Sequence, residues 1–178
     1  MKQLRSSIGL LLTRLKYFRS KDYISQFTKV FTKAQRVLVI LPEEQPDKSS
    51  LRSFLQQFNY YAAKKFISII MRKELGDDLI KGINALFIQY SDDDINNFYL
   101  PKKSLCKKLK TNTYDLVVDL NLKFSLTSAV LCKESNAPVR VCLSKERGNE
   151  FFNFLLNPKD PTNNNATYSF LMNCLLMF

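Results

Sequence analysis

Short runs of consecutive apolar residues recur along most of the chain, and polar turns separate them. The first run reads RVLVIL over residues 36–41 and is rich in β-branched side chains, which is typical of a strand buried on both faces. Four further runs have the same character. The predicted strands are residues 36–41, 66–71, 85–90, 114–120 and 139–143.

The segments between these strands carry apolar residues at helical spacing. After the first strand, Asp47 offers a capping side chain, and Leu51, Phe54 and Phe58 then share one helical face. The predicted helices are residues 51–58, 74–83, 101–109, 125–133 and 168–178, whereas residues 151–156 fit either a helix or a strand. Strands that alternate with helices form right-handed crossovers and a parallel sheet covered on both faces. The sequence therefore predicts an α/β fold over residues 34–178, a single Rossmann-like three-layer domain with a mainly parallel sheet of about five or six strands.

Residues 1–33 form a separate, basic segment. They contain eight lysines and arginines but one acid, Asp22, and so carry +7 of the chain's net charge of +11. Apolar residues at helical spacing run from Ile8 to Phe18, which predicts a basic amphipathic helical arm. Two interpretations stay open: the arm packs its apolar stripe on the domain, or it lies on an anionic membrane surface. In the second case, contact with the membrane or another polyanion would come from Arg5, Arg14, Lys16 and Arg19. Nucleic acid is disfavoured as a partner because the arm carries no recognised nucleic-acid motif.

The sequence contains no histidine, which excludes several kinds of catalytic and metal site. Neither a Ser-His-Asp triad nor a Cys-His pair can be built within this sequence, and histidine metal sites are excluded as well. The four cysteines contain no C-x-x-C pair, so we expect no zinc site, and Cys132 and Cys142 fit small buried apolar positions. We expect no metal and no cofactor. Since no secretory signal is present, we expect a cytoplasmic protein, or one peripheral to the inner face of the membrane.

Ligands of an open parallel sheet bind beyond the carboxyl ends of the strands. Three predicted loops lie there, at residues 42–50, 91–97 and 121–125. The first reads PEEQPDKSS and lacks the glycine that lets a backbone turn approach a phosphate closely. Its acids would also repel a phosphate, which argues against a dinucleotide site or a P-loop. The candidates for a catalytic base in this loop are Glu43, Glu44 and Asp47, with simple solvation of these carboxylates as the alternative.

The other two loops differ in what they offer. The acidic run SDDD at residues 91–94 lacks the alternating ligands and the central glycine of a calcium loop, so we expect it to be solvated. In the third loop, Asp119 precedes the turn, Asn121 occupies it, and Ser125 opens the next helix, whose N-terminus attracts an anion. These three are candidate ligand-binding residues. The alternative is that Asp119 and Ser125 satisfy backbone donors at the turn from strand to helix.

The stretch YDLVVDLNLKFSLTSAVLCKESNAPVRV, residues 114–141, resembles glycosyltransferase family 9, the bacterial lipopolysaccharide heptosyltransferases. In that family a strand of D-L-V-I-D-L type leads into a serine-containing helix and then into an A-x-x-R-V-type strand. AQRVLVILP, FISIIMRKEL and NEFFNFLLNP resemble further segments of the family, so the resemblance spreads over residues 34–178. It implies one half of a GT-B fold, the N-terminal Rossmann-like half that receives the acceptor.

The sequence departs from this family where the resemblance would place catalysis. The family carries a G-D-x-L-type motif after the first strand, with its aspartate as the base, whereas this sequence reads PEEQPDKSS. We therefore expect a heptosyltransferase-like single domain that is catalytically degenerate and acts as a binding or interaction module. The alternative is the acceptor-binding half of a split or oligomeric glycosyltransferase in cell-envelope glycan synthesis, so enzymatic activity stays open. We also expect a protein partner, or self-association, at the apolar C-terminus.

Overall fold

One six-stranded sheet forms the centre of the protein, seen here in a computed structural model that describes residues 2–17, 29–44 and 47–177. The strands are β1 (Arg36–Ile40), β2 (Phe66–Arg72), β3 (Leu86–Tyr90), β4 (Leu116–Asp119), β5 (Val139–Leu143) and β6 (Phe154–Leu156). Their order is β3-β2-β1-β4-β5-β6, and every neighbouring pair is parallel. This order is that of a Rossmann-like sheet, so the predicted fold class is confirmed.

Helices cover both faces of this sheet. One face is covered by α2 (Val30–Lys33), α3 (Lys48–Tyr61) and α7 (Asn164–Met177). The other is covered by α1 (Lys2–Tyr17), α4 (Lys103–Leu109), α5 (Leu126–Glu134) and α6 (Gly148–Phe151). Because successive side chains of a strand point to opposite faces, Val37 and Val39 join the first apolar cluster while Leu38 and Ile40 join the second. All four are fully buried, which explains why β1 reads as an unbroken apolar run.

The helix predicted at residues 74–83 is wrong. Two short 3-10 turns, Lys73–Leu75 and Asp77–Ile80, occupy that segment. Gly76 lies between them at φ 80°, and Gly82 follows at φ 82°. An α-helix cannot pass through left-handed backbone, so these two glycines end each turn instead of continuing a helix.

The C-terminal third contains the sixth strand and the final helix. The ambiguous residues 151–156 divide between the end of α6 and β6, which adds an edge strand beside β5. The final helix, α7, begins at Asn164 and packs on α3, with Tyr168 and Leu171 buried between it and the body. The domain itself therefore covers most of the apolar C-terminal segment, while Met177 remains exposed.

The N-terminal helix α1 packs on α5, but through a different face from the predicted apolar stripe. Leu10 and Thr13 are buried, and the backbone at Gly9 lies so close to the domain that an added Cβ would stand 2.1 Å from the Phe98 carbonyl oxygen. By contrast, Leu15 in the stripe is largely exposed. For the described residues of the stripe, the interpretation that α1 packs them on the domain is therefore wrong, although the helix does contact the domain; Phe18, the last residue of the predicted stripe, lies outside the described residues. Among the described helices, none has both the length and the apolar character needed to cross a bilayer.

Candidate ligand-binding cleft

A cleft of ≈ 540 Å³ lies beyond the carboxyl ends of β1 and β4. These strands are neighbours in the sheet, but the chain leaves β1 towards β2 on one side and reaches β4 on the other. This change of direction is the topological switch point at which open α/β sheets bind ligands. The lining includes aromatic rings, two carboxylates and polar groups, among them Glu43, Glu44, Tyr99, Asn121, Phe124, Ser125 and Tyr168.

Asp119, at the end of β4, is buried and fully engaged within the protein. One carboxylate oxygen, Oδ1, accepts from Ser128 Oγ and from Asn121 Nδ2, each at 2.6 Å. The other, Oδ2, forms an ion pair of 2.5 Å with Lys145 Nζ. Only 1% of Asp119 is exposed, so the carboxylate is closed off from any ligand in the cleft. Its geometry is that of a structural anchor for the turn after β4.

Lys145 completes this network from the neighbouring strand. It lies two residues after β5 and its side chain is 4% exposed. Besides Asp119, its ammonium group donates to the Asn121 carbonyl oxygen at 2.7 Å and lies 5.2 Å from the centre of the Phe152 ring. A buried ammonium group is stable only with such partners, because burial removes its hydration.

Asn121 joins this buried network to the first loop. Its side-chain oxygen accepts from the Glu43 backbone N–H at 2.9 Å. The loops after β1 and β4 are therefore held together by a side chain that also contacts Asp119. Ser125 lies close to this network through Ser128: it caps α5 by accepting from the Ser128 N–H at 3.1 Å, and the Ser128 hydroxyl donates to Asp119. The three candidates Asp119, Asn121 and Ser125 are therefore brought together. Ligand binding by these three residues stays a prediction, whereas the capping and turn contacts are those of the structural alternative.

Glu43 is the predicted carboxylate that faces the cleft. One of its oxygens accepts from Tyr90 O–H at 3.1 Å and the other accepts from Ser125 O–H at 2.7 Å. Burial raises the pKa of Tyr90 well above its ordinary value, and the negative charge of Glu43 and its hydrogen bond raise it further, so the phenol keeps its proton. Glu43 is thus fixed in orientation by two hydroxyl donors and remains partly exposed.

The other two acids of the first loop have different roles. Glu44 forms an exposed ion pair with Lys123 at 3.2 Å on the rim of the cleft. Asp47 caps α3 by accepting from the Ser49 N–H at 3.0 Å, as the sequence predicts for this position. Hydrogen bonds from the hydroxyls of Ser50 and Ser49 lower the pKa of the Asp47 carboxyl. Asp47 does not line the cleft.

Tyr99 lines the cleft from a strained backbone. Its φ is 62°, in the left-handed region that residues other than glycine rarely adopt. The Tyr99 N–H donates to the Asn96 carbonyl oxygen, and Thr127 O–H donates to the Tyr99 carbonyl oxygen, each at 3.0 Å. Strain of this kind persists only where the surroundings fix it, and it concentrates at ligand sites.

The basic candidates Arg5, Arg14 and Lys16 in α1 do not line the cleft. Arg14 forms two hydrogen bonds with Glu150, at 2.7 and 2.8 Å, and Lys16 pairs with Glu134. Arg5 is exposed, and Arg19 lies outside the described residues. These pairs attach α1 to the domain, and contact with a membrane or polyanion stays a prediction.

No group of Cys, Asp and Glu side chains able to hold a metal ion occurs within the described ranges. In the acidic run after β3, Asp92–Asp94 forms a 3-10 turn, in which Asp94 accepts from the Ser91 N–H and Asp92 pairs with Arg72. Asp92 and Asp94 therefore contact protein partners, while Asp92 and Asp93 are exposed to solvent, as predicted for this loop.

The candidates chosen from the sequence did not include three residues that shape the site: Lys145, Tyr90 and Tyr99. Two of them carried a usable signal, because Tyr90 ends the predicted strand 85–90 and Lys145 follows the predicted strand 139–143. Parallel strands bring both positions to the same edge of the sheet. Tyr99 carried no such signal, since its left-handed backbone depends on contacts with Asn96 and Thr127.

The fold and the switch-point cleft together define a Rossmann-like α/β domain. A family model described as a family of unknown function, DUF6913, matches residues 12–170. The chain belongs to this family. No curated protein matches its sequence.

One solved structure supports the fold. It is the crystal structure of the glycosyl transferase family 9 protein from Veillonella parvula, which the chain matches with a TM-score of 0.61 and 14% sequence identity. The match covers 88% of this chain and 44% of the other, so the chain spans less than half the length of that protein. At this identity the likeness is one of fold.

Proposed function

We propose that this chain is a glycosyltransferase-like binding domain whose cleft holds a neutral, hydroxyl-rich ligand such as a sugar, and that it does not transfer a glycosyl group by itself. The observation that carries the proposal is the state of Glu43. This carboxylate stands in the cleft with both oxygens held by hydroxyl donors of the protein. It retains acceptor capacity for ligand hydroxyls, because an ionised carboxylate has more lone pairs than these two hydrogen bonds use.

Three of the four acids near the cleft are engaged within the protein, which supports the non-catalytic part of the proposal; the fourth, Glu43, carries the alternative described below. Deprotonation of an acceptor hydroxyl requires a base within hydrogen-bond reach of the substrate. Asp119 is buried and forms an ion pair with Lys145, and Asp47 caps a helix outside the cleft. Glu44 is neutralised by Lys123 at the rim.

The charge and shape of the cleft support a neutral ligand over a nucleotide. Phosphate groups would face the carboxylate of Glu43, and the cations near the cleft, Lys123 and Lys145, are already paired with Glu44 and Asp119. Aromatic rings at Tyr99 and Phe124 offer apolar surface for the C–H face of a sugar ring. A few polar groups among apolar ones are the usual makeup of a small-molecule site.

One observation favours the alternative of an acceptor-binding half in a split or oligomeric glycosyltransferase. Glu43 lies just beyond β1, the place at which the heptosyltransferases that the sequence resembles carry their catalytic aspartate. Its two hydroxyl contacts fix it as a base would be fixed. A partner chain would then supply the donor site. Self-association near Met177 is one route to such an assembly and stays a prediction.

Ligand-observed NMR by saturation transfer tests the proposal. The wild-type chain is screened against a panel of neutral mono- and oligosaccharides and, separately, nucleotide sugars. We expect transfer to at least one neutral saccharide, lost in Phe124→Ala and weakened in Glu43→Gln. The matched control is Tyr60→Ala, which removes an exposed aromatic ring far from the cleft and should change nothing.

Two outcomes separate the candidates. Micromolar binding of a nucleotide sugar to the chain, or glycosyl transfer by the chain alone, would overturn the proposal. Transfer that requires an added partner and disappears in Glu43→Gln would establish the alternative instead. If the panel shows no saccharide binding at all, the cleft is not a sugar site and the proposal fails.

A further inference from the structure

Helix α1 has two opposite faces, and the domain covers the more polar of them. Gly9, Leu10 and Thr13 are buried against the body. The other face carries a stripe at helical spacing that is open to solvent. We call it the α1 stripe: Leu4, Ile8, Leu11, Leu12 and Leu15. The exposed fractions of Leu4, Leu11 and Leu15 are 67%, 58% and 68%. Five large aliphatic side chains on one exposed helix face are unusual for a surface in contact with water only.

Basic residues border the α1 stripe on both sides. At 100° per residue, Arg5 and Lys16 project beside one edge of the stripe and Arg14 beside the other. Lys16 and Arg14 reach acids of the domain yet remain half exposed, and Arg5 is exposed. The helix contains no aspartate or glutamate. An apolar face with basic borders and no acid is the pattern of a helix that lies in the interface of an anionic membrane.

We propose that the α1 stripe docks the protein on an anionic lipid bilayer, with the helix axis in the plane of the membrane. The leucines would enter the boundary between headgroups and acyl chains, while the arginine and lysine heads remain among the anionic headgroups. The described part of the domain contacts the opposite side of α1, so none of those residues obstructs this contact. The inference is independent of what the cleft binds.

Charge decides between a membrane and a second copy of the chain. Acids of the domain already pair with Arg14 and Lys16, so Arg5 is the border residue that has no acidic partner among the described residues. Two α1 stripes facing each other would add no acid to offset its charge, since neither helix contains one, whereas an anionic surface supplies that negative charge. The same argument predicts that docking weakens as salt concentration rises.

Sedimentation with vesicles tests the proposal in the full-length protein. The vesicles are phosphatidylcholine with about one-third phosphatidylglycerol, and pure phosphatidylcholine vesicles serve for comparison. We expect wild-type protein to partition onto the anionic vesicles roughly tenfold or more better than onto the neutral ones. The double substitution Leu11→Gln and Leu15→Gln should lower partitioning onto anionic vesicles by roughly tenfold or more, since both side chains are exposed and glutamine keeps the helix.

Two controls keep the result specific to the stripe. The double substitution Tyr60→Gln and Met177→Gln removes similarly exposed apolar side chains elsewhere and should leave partitioning unchanged. Arg5→Gln should weaken binding to anionic vesicles and reduce its dependence on salt. Circular dichroism and thermal unfolding establish that each variant is folded.

The proposal is overturned if folded wild-type protein does not partition onto anionic vesicles. It is also overturned if the Leu11 and Leu15 variant partitions as well as wild type. A dimer in sedimentation velocity that this variant dissociates, without vesicle binding by the wild type, would assign the α1 stripe to contact between copies of the chain.

Discussion

Replacement of Lys145 by methionine tests whether the buried network holds the switch point together. Methionine has nearly the shape of lysine without the ammonium group. The substitution leaves the Asp119 carboxylate buried with two neutral donors, Ser128 and Asn121, and without a counter-charge. The Asn121 carbonyl oxygen also loses its donor.

The expected loss is large because neither partner reaches water. The side chains of Lys145 and Asp119 are 4% and 1% exposed, and removal of one partner from such a buried pair costs about 3–5 kcal/mol. Domains of this size unfold with about 5–15 kcal/mol, so the variant would be folded but much less stable. Asp119→Asn should cost a similar amount, since it leaves the ammonium group without its counter-charge.

The double variant separates the charge interaction from the lost hydrogen bonds. With both Asp119→Asn and Lys145→Met, no unpaired charge is buried, and the asparagine oxygen still accepts from Ser128. We expect the double variant to lose less than either single variant, with a coupling free energy of at least about 2 kcal/mol.

Denaturant unfolding followed by circular dichroism measures these free energies, with the denaturant dependence of each variant checked for constancy. Lys123→Met is the matched control: it breaks the exposed pair with Glu44, whose side chains are 80% and 75% exposed, and should cost less than about 1 kcal/mol. If Lys145→Met costs no more than this control, or if the two single effects simply add, the buried pair does not anchor the site.

Three further predictions concern a buried carboxylate, the docking of α1 and a buried cysteine. Although burial alone would raise the pKa of Glu134, hydrogen bonds from Lys110, Lys16 and Tyr17 hold it at about 2, against an ordinary 4.5. Because the pKa of Glu134 is lower in the folded state than in the unfolded state, its ionised form stabilises the fold. At neutral pH the wild type should therefore be more stable than Glu134→Gln by about 1–2 kcal/mol. In acid unfolding experiments this difference should vanish as the pH falls from 4.5 towards 2. Although alanine has a better helix propensity than glycine, Gly9→Ala should destabilise the docking of α1 by about 1–3 kcal/mol, because the added Cβ has no room. Faster amide hydrogen exchange in α1 would show this loss. A variant more stable than wild type would contradict the close contact at Gly9. Burial raises the pKa of the Cys142 thiol to about 12. Alkylation of the native protein by a thiol reagent at neutral pH should therefore be far slower at Cys142 than at the partly exposed Cys174. Equal rates would contradict the buried position of Cys142.

Local pattern by itself determined the layers of the domain. The strands around RVLVIL and YDLVVDL are apolar on both faces, and that property requires a covered parallel sheet wherever the strands pair. The helix cap at Asp47 could also be predicted from the sequence, because the start of a helix needs a hydrogen-bond acceptor close in sequence. These features depend on residues a few positions apart.

The tertiary structure decided everything that depends on distant residues. Lys145 and Asp119 are 26 positions apart and meet because β5 lies beside β4 in parallel register. The two turns around Gly76 replaced a predicted helix because glycine adopts a left-handed backbone that spacing does not reveal. The buried face of α1 was decided in the same way: Gly9 lies close to the Phe98 carbonyl oxygen and to Leu126, the first residue of α5, and the leucine stripe faces outward. Amphipathic spacing does not predict this arrangement. Periodicity shows that a helix has an apolar face, but only packing against a particular neighbour decides which face the domain covers.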